Sequence, residues 1–256
     1  MRGDLVLSTA TLLGFLLTLV RVAGVFVFVP FPGMNHLLSP ARIMLVFSIT
    51  IALFPQWPQV TAEPSVGLLV MWLLLEAALG IGIGLAVAFV IEAFGVGAQV
   101  MGLQAGYAFA STFDPNTQAD SGVLIMFSQI AAGLLFFALG LDRDVLRIFG
   151  RSLETCPAGS FVLSRGAAGQ MLEAGSTMFS TGLRLAMPMV AVLVMVDVSL
   201  ALLGRVNAQL QVLHMAFPVK MMIALVLLGW LSLVFPVLMR VNSGATLAAA
   251  RGLIAR

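Results

Sequence analysis

Six ionisable side chains lie inside segments that otherwise have the composition of membrane helices, where they could pair with each other or relay protons. They are Arg21, Glu76, Glu92, Arg184, Asp197 and Lys220. A charge at the centre of a lipid-facing helix costs about 2.5–3.5 kcal/mol, so six unpaired charges would cost roughly 15–20 kcal/mol. That exceeds the net stability of a typical folded domain. We therefore expect protein or water around these charges, within this chain or against partner chains.

Two interpretations of the charges stay open on the residues alone. In a secondary transporter, Glu76, Arg184 and Asp197 would form a proton or ion relay near the middle of the membrane. In an assembly, the charges would form pairs between helices or between chains and set their register. Arg184 and Asp197 are too far apart along one continuous helix, about 20 Å, to pair with each other. Each needs a partner elsewhere, which slightly favours the assembly.

Signatures of catalysis and of cofactor binding are missing from the sequence. There is no HExxH, GxSxG, Walker loop or dinucleotide fingerprint. His36 and His214 lie far apart, without cysteine or acidic residues at metal-binding spacing. The net charge of +2 gives no indication of nucleic-acid binding, and the single cysteine, Cys156, excludes an intramolecular disulfide. We predict a protein that is not an enzyme and holds no cofactor and no metal.

Glycines form two pairs at a spacing that permits close helix packing. Gly80 and Gly84 are one helical turn apart, and such small residues let two helix backbones approach closely. Gly102 and Gly106 repeat this spacing within 95–122, a segment too apolar for a solvated loop and too polar for lipid. Irregular backbone is tolerated at membrane depth only beside protein or a cavity, so we expect a re-entrant element there.

The composition of the chain indicates that membrane helices carry these residues. Apolar residues make up 61% of the chain and charged residues 9%, against roughly 45–50% and 25% in soluble domains. We predict an all-α, polytopic membrane protein with about six hydrophobic helices, some kinked or broken. They cover about 5–31, 41–54, 66–94, 123–141, 178–204 and 208–239. The second is too short to cross a hydrocarbon core of about 30 Å unaided, and Pro188 and Pro218 are expected to interrupt the last two.

Three polar connections separate the hydrophobic segments, at 55–65, 95–122 and 142–177. In the last of them, arginines recur every fourth residue and so share one helical face. They are Arg143, Arg147 and Arg151. We interpret this stretch as a solvated interfacial helix beside anionic lipid headgroups.

An ordered series of motifs covers nearly the whole chain. It consists of Arg21-Val22-Ala23-Gly24 before Pro30, Pro40-Ala41-Arg42, Glu76 with Gly80 and Gly84, GLQAGYAFASTFDPNT at 102–117, RSLETCPAG at 151–159, FSTGLRLAMPMVAVLVMVDVSLALLGR at 179–205 and QLQVLHMAFPVK at 209–220. In this order the motifs resemble the FliR family, the flagellar type III export-gate component, called SctT in virulence secretion systems. Two details depart from the family: 140–144 lacks a frequent histidine, and Ala208 stands where a proline is common.

The resemblance implies a non-enzymatic subunit of the flagellar type III protein export gate in the bacterial inner membrane, at the flagellar basal body. The gate passes unfolded flagellar substrates through a protein-conducting channel. The implied partners are FliP-type and FliQ-type subunits, an FlhB-type subunit, the exported proteins and membrane lipid, with no nucleic acid. The alternatives are an export-gate subunit of a virulence system and, in another class, an ion-coupled secondary transporter.

The resemblance also implies an internal division. A FliP-like part covers 1–122 and contains a channel plug at 102–117. A middle helix and a polar loop cover 123–177. A FliQ-like helical hairpin covers 178–239, and 240–256 form a C-terminal tail. The plug and channel residues are Gly102, Gly106, Tyr107, Phe109, Phe113, Asp114 and Pro115.

Overall fold

The structure is a computed structural model that describes residues 8–29, 40–58, 60, 64–107, 122–157, 159–162, 164–206 and 212–254. Within these residues it consists of eight α-helices and one 3₁₀ turn, without a strand, so the predicted all-α class is confirmed. The helices are α1 (Thr9–Phe28), α2 (Pro40–Ala52), α3 (Val66–Ala105), α4 (Gly122–Ala138), α5 (Leu141–Thr155), α6 (Arg165–Val206), α7 (Val212–Leu231) and α8 (Phe235–Ile254), with the 3₁₀ turn at Phe54–Gln56.

Three of the described helices are long and apolar enough to cross a membrane: α1, α3 and α6. Two pairs bent at a short break, α4 with α5 and α7 with α8, raise the number to five if each pair forms one span. Helix α2 is apolar but has only 13 residues, about 20 Å, which is too short to span unaided. The predicted polytopic fold with broken helices is therefore confirmed.

Helix α3 is longer than the sequence pattern predicted. It runs unbroken for 40 residues to Ala105, so 95–105 is helical and not the irregular backbone that we expected. Gly97, Ala98 and Met101 are buried in this part of the helix. A helix pairs its own backbone groups, and small side chains let neighbouring helices lie close. When the polar and apolar faces of such a stretch differ little, the reason is therefore that the helix is buried on several sides, and not that the stretch is a loop.

The prolines do not interrupt the helices in which they lie, contrary to our expectation. Pro188 is inside the 42-residue α6, and Pro218 is inside α7. The break falls later, at 232–234, between α7 and α8. Prolines are tolerated in membrane helices because neighbouring groups and local adjustments satisfy the freed carbonyl. The polar stretch 142–177 is also largely helical, since it contains most of α5 and the first turns of α6.

The first of two compact units comprises Met1–Phe89, Gly140–Gly175 and Gly244–Arg256. Its core contains the apolar side of α1 and of the first part of α3, with Leu17, Val22 and Ile83 at most 1% exposed. Helix α5 contributes an apolar face that ends at the buried Ser152. This unit contains both Arg21 and Glu76.

The second unit comprises Val90–Leu139 and Ser176–Ser243. The rings of Phe94 and Phe235 meet edge to face in its core, with centroids 5.0 Å apart. A Cβ atom on Gly182 would lie 2.7 Å from the carbonyl oxygen of Ala93, so α3 and α6 are in backbone contact there. This unit contains Glu92, Arg184, Asp197 and Lys220.

Candidate functional site

Arg21 and Glu76 form a buried, bidentate ion pair in the first unit. The Arg21 Nε atom contacts Glu76 Oε2, and Nη2 donates to Oε1 at 2.9 Å. The two side chains are 2% and 1% exposed. A planar guanidinium matches a carboxylate in this fork geometry, which combines charge neutralisation with fixed orientation. Two of the six charges in apolar segments therefore neutralise each other within the chain.

The remaining donors of Arg21 bind the end of α5. Its Nη1 donates to the carbonyl oxygen of Ser152 at 2.6 Å, and Nη2 donates to that of Cys156 at 2.9 Å. The Ser152 carbonyl also accepts the backbone N–H of Cys156 at 3.1 Å, and the last carbonyls of a helix carry the negative end of the helix dipole. The backbone amide of Gly159 in turn donates to Glu76 Oε1 at 3.2 Å. The ion pair thus joins α1, α3 and the segment that follows α5.

Close contact between α1 and α3 places the pair in position. A Cβ atom on Gly80 would collide with the carbonyl oxygen of Arg21, and one on Gly84 would collide with that of Val25. On the facing helix, a Cβ atom on Gly24 would lie 2.9 Å from the backbone nitrogen of Ile81. Glu76 lies one turn before Gly80, so the contact of the two backbones carries its carboxylate to Arg21.

Asp197 is the centre of a second polar cluster, in the second unit. Lys220 Nζ lies 2.8 Å from Asp197 Oδ1, and Gln104 Nε2 donates to Oδ2 at 3.0 Å. The lysine side chain is 10% exposed, whereas the aspartate remains 42% exposed. Lys220 lies within α7 and pairs with an acid of α6 in its own chain, which is a pair between helices, one of the arrangements that the sequence left open.

Glu92 and Arg184 differ from the other four charges because neither forms an ion pair with another residue that the structure describes. Both are exposed. They lie close in sequence to the contact between Ala93 and Gly182, on α3 and α6. What covers these two charges therefore stays a prediction.

The described part of the 102–117 segment is anchored to α7. Gly106 has φ +86°, a left-handed conformation that favours glycine, directly after the last residue of α3. The Tyr107 hydroxyl donates to the carbonyl oxygen of Met221 at 3.3 Å, and burial raises the pKa of this phenol, which keeps it a donor. Gly102 is buried within α3. Phe109, Phe113, Asp114 and Pro115 lie outside the described residues, so the plug stays a prediction.

The arrangement of these groups supports charge pairing and helix fixation. Among the described residues, no three side chains of the metal-binding types His, Cys, Asp and Glu come together. Sequence reasoning missed the groups that complete the first pair, the carbonyls of Ser152 and Cys156 and the amide of Gly159. These are backbone groups, which no residue type marks. Their only signal was the RSLETCPAG motif at 151–159.

Comparison of the sequence with known proteins places this chain in a family. Residues 12–246 match the family of bacterial export proteins, family 1. The chain belongs to this family. All six charges in apolar segments, both glycine pairs and the anchored end of α3 lie inside the matched region, which confirms the resemblance inferred from the motifs.

Several curated relatives of this chain carry the name flagellar biosynthetic protein FliR. The protein from Escherichia coli (strain K12) is 27% identical over 212 residues, which cover 82% of this chain and 81% of the relative. The one from Pectobacterium carotovorum is 29% identical over 196 residues, or 76% and 75%. The one from Bacillus subtilis (strain 168) is 25% identical over 248 residues, or 94% of both chains.

Proposed function

We propose that the chain is a subunit of the flagellar type III protein export gate, and that it forms part of the channel passing unfolded flagellar proteins across the inner membrane. The observation that carries this proposal is the surface of α6. Only 22% of its most apolar 18-residue stretch is buried, against 44% for α1 and 50% for α3, and Arg184 is exposed on the same helix. An exposed arginine in a spanning helix is energetically costly in contact with lipid, so this surface requires partner chains or a water-filled path.

The proposed partners are FliP-type and FliQ-type subunits, with an FlhB-type subunit at the same assembly. Exposed apolar side chains follow α6 and continue on α7. They include Phe179, Leu183, Met187, Met195, Val198, Leu202, Met222, Val226 and Trp230. Obligate interfaces between subunits are large and apolar, so this surface suits packing against sister helices. The names of the relatives support a flagellar system over the virulence alternative.

The charges have two roles in this proposal. Arg21 with Glu76 and Asp197 with Lys220 fix helices within the subunit, whereas Glu92 and Arg184 pair with charges of sister chains. A carboxylate that is held in an ion pair is a poor proton carrier. Because Glu76 pairs with Arg21 and Asp197 pairs with Lys220, the structure does not favour an ion-coupled transporter. The proposed gate subunit is not an enzyme and uses no cofactor.

The 102–117 segment is the proposed channel plug. Its start is held by Gly106 and by the Tyr107 hydrogen bond to Met221. Two phenylalanines, Phe109 and Phe113, are bulky enough to exclude ions by apolar contact, as in hydrophobic gates. The division into a FliP-like part at 1–122 and a FliQ-like part at 178–239 belongs to the same proposal.

Complementation combined with purification tests the proposal. The tagged chain is expressed in a flagellated bacterium that lacks its own copy of this subunit, and swimming, secreted flagellin and co-purifying proteins are measured. We expect restored export and one discrete inner-membrane complex containing the P-type and Q-type subunits. An empty-vector strain is the control. A stable, monodisperse protein that purifies without partners and restores no export would overturn the proposal.

A further inference from the structure

A basic pocket in the first unit is not explained by the export function. It has a volume of about 210 Å³ and is lined by Asp144, Arg147, Ile148, Arg151 and Arg251. Four of these residues come from α5, and Arg251 comes from the last turn of α8. Three guanidinium groups and one carboxylate give the lining a net charge of +2.

The arginines of this pocket are available for a ligand to different degrees. Arg147 Nη1 lies 3.0 Å from Asp144 Oδ1, so this carboxylate orients the exposed guanidinium. Arg151 and Arg251 are exposed, and neither forms an ion pair with another described residue. Two guanidinium groups on different helices, beside a third that is oriented by a carboxylate, match the several oxygen atoms of a phosphate group.

We propose that this pocket binds the phosphate of an anionic lipid headgroup. A volume of about 210 Å³ is more than a single small ion fills. Helix α5 directly follows the apolar α4, and it exposes Leu146, which is 50% accessible, beside its arginine face. Basic pockets next to membrane helices bind such headgroups, and a neighbouring exposed leucine offers contact to the glycerol or an acyl chain.

Native mass spectrometry of the detergent-solubilised full chain, purified with the proteins that accompany it in its host, tests the site. Phosphatidylglycerol and phosphatidylcholine are titrated separately, and the fraction of complexes that retain lipid is measured. We expect phosphatidylglycerol to remain bound under conditions that remove phosphatidylcholine. The double variant Arg151→Gln/Arg251→Gln should lower phosphatidylglycerol occupancy at least about tenfold, since each arginine near a lipid surface contributes about 1 kcal/mol.

Arg143→Gln is the matched control because Arg143 lies two turns before Arg151 on the same helix but does not line the pocket. It should lower occupancy much less than the double variant does. If the glutamine double variant is not monodisperse, Arg151→Lys/Arg251→Lys replaces it; this variant keeps the charge but loses the guanidinium fork, and it should lower occupancy by a smaller factor.

The remaining outcomes separate the sources of the phosphate. Inorganic phosphate that displaces the lipid at equal concentration, with the same sensitivity to Arg151 and Arg251, would support the phosphate site but overturn its assignment to lipid. Equal loss in the Arg143→Gln control, or no loss in either double variant, would overturn the pocket itself.

Discussion

Arg21 uses its guanidinium on three segments at once: it donates to both carboxylate oxygens of Glu76 and to the carbonyl oxygens of Ser152 and Cys156. A buried charge whose partner is removed remains desolvated and unpaired, which costs about 3–5 kcal/mol. We therefore expect the stability of the first unit to depend more on this ion pair than on its other charged groups.

Glu76→Gln is expected to destabilise the subunit by about 3–5 kcal/mol because Arg21 keeps its buried charge. The double variant Arg21→Met/Glu76→Leu, which removes both charges, should be less destabilised than Glu76→Gln alone. Thermal unfolding in detergent measures both. Asp144→Asn breaks the exposed pair with Arg147 and should cost no more than about 1 kcal/mol. Equal losses in Glu76→Gln and Asp144→Asn would contradict the assignment.

The Asp197–Lys220 pair should respond more mildly, because the Asp197 side chain is 42% exposed and water can replace its partner. We expect Lys220→Met to lower the amount of assembled complex several-fold, and the exchange Asp197→Lys/Lys220→Asp to recover part of it. Quantitative immunoblotting of the purified complex measures the amounts. An exchange variant no better than Lys220→Met would show that the sign of each charge, and not the pair, is required.

At the scale of elements, the contact between α1 and α3 depends on Gly80 and Gly84. Gly80→Ala should lower stability by about 1–3 kcal/mol, since the new methyl group meets the carbonyl oxygen of Arg21, a rigid backbone atom. Gly67→Ala is the matched control: it lies in the same helix, with nothing within 4 Å of the added carbon atom. This control should be neutral or slightly stabilising. The midpoints of thermal unfolding compare the two, and a loss at Gly67 as large as that at Gly80 would refute the packing argument.

The proposed plug gives a second prediction at this scale. Phe109→Ala/Phe113→Ala should let ions and large antibiotics enter cells that express the whole gate, because smaller side chains leave a wider constriction that seals poorly. Membrane conductance and antibiotic sensitivity are compared at equal abundance of the complex. Phe127→Ala, at an exposed position of α4, is the control and should not leak. An intact assembly that leaks no more than this control would leave the segment without a sealing role.

The sequence supplied the residue types of the site but not all of its partners. Charges in apolar segments and the spacing of Gly80 and Gly84 were visible without a structure. The pairing of Arg21 with a residue 55 positions away, and with carbonyls 131 and 135 positions away, was not. Such contacts depend on which helices meet, and every residue offers a carbonyl. The helical course of 95–105 was missed because small buried residues give little contrast between helix faces.

At the scale of the whole molecule, the exposed surface of α6 predicts that the subunit and its assembly respond differently to one substitution. Arg184→Leu should stabilise the isolated chain in detergent, because it removes an exposed charge from an apolar helix, while lowering recovery of the complex. Arg205→Leu, in the last turn of the same helix, is the control and should change neither property much. The two properties are measured as the midpoint of thermal unfolding and as the amount of partner protein that co-purifies. Unchanged recovery of the complex for Arg184→Leu would argue against a charged contact between chains.

The first unit is discontinuous, and this determines when a newly made chain can finish folding. Residues 244–256 belong to the same unit as 1–89. The Leu253 side chain packs against Gly82, where an added Cβ atom would lie 2.8 Å from Leu253 Cδ1. During synthesis at about 5–20 residues per second, the helices within 1–89 wait for α8. A nascent chain therefore keeps the Gly82 face of α3 open until α8 has been made. We expect a chain terminated before α8 to retain that open face and to be degraded before it can enter the gate.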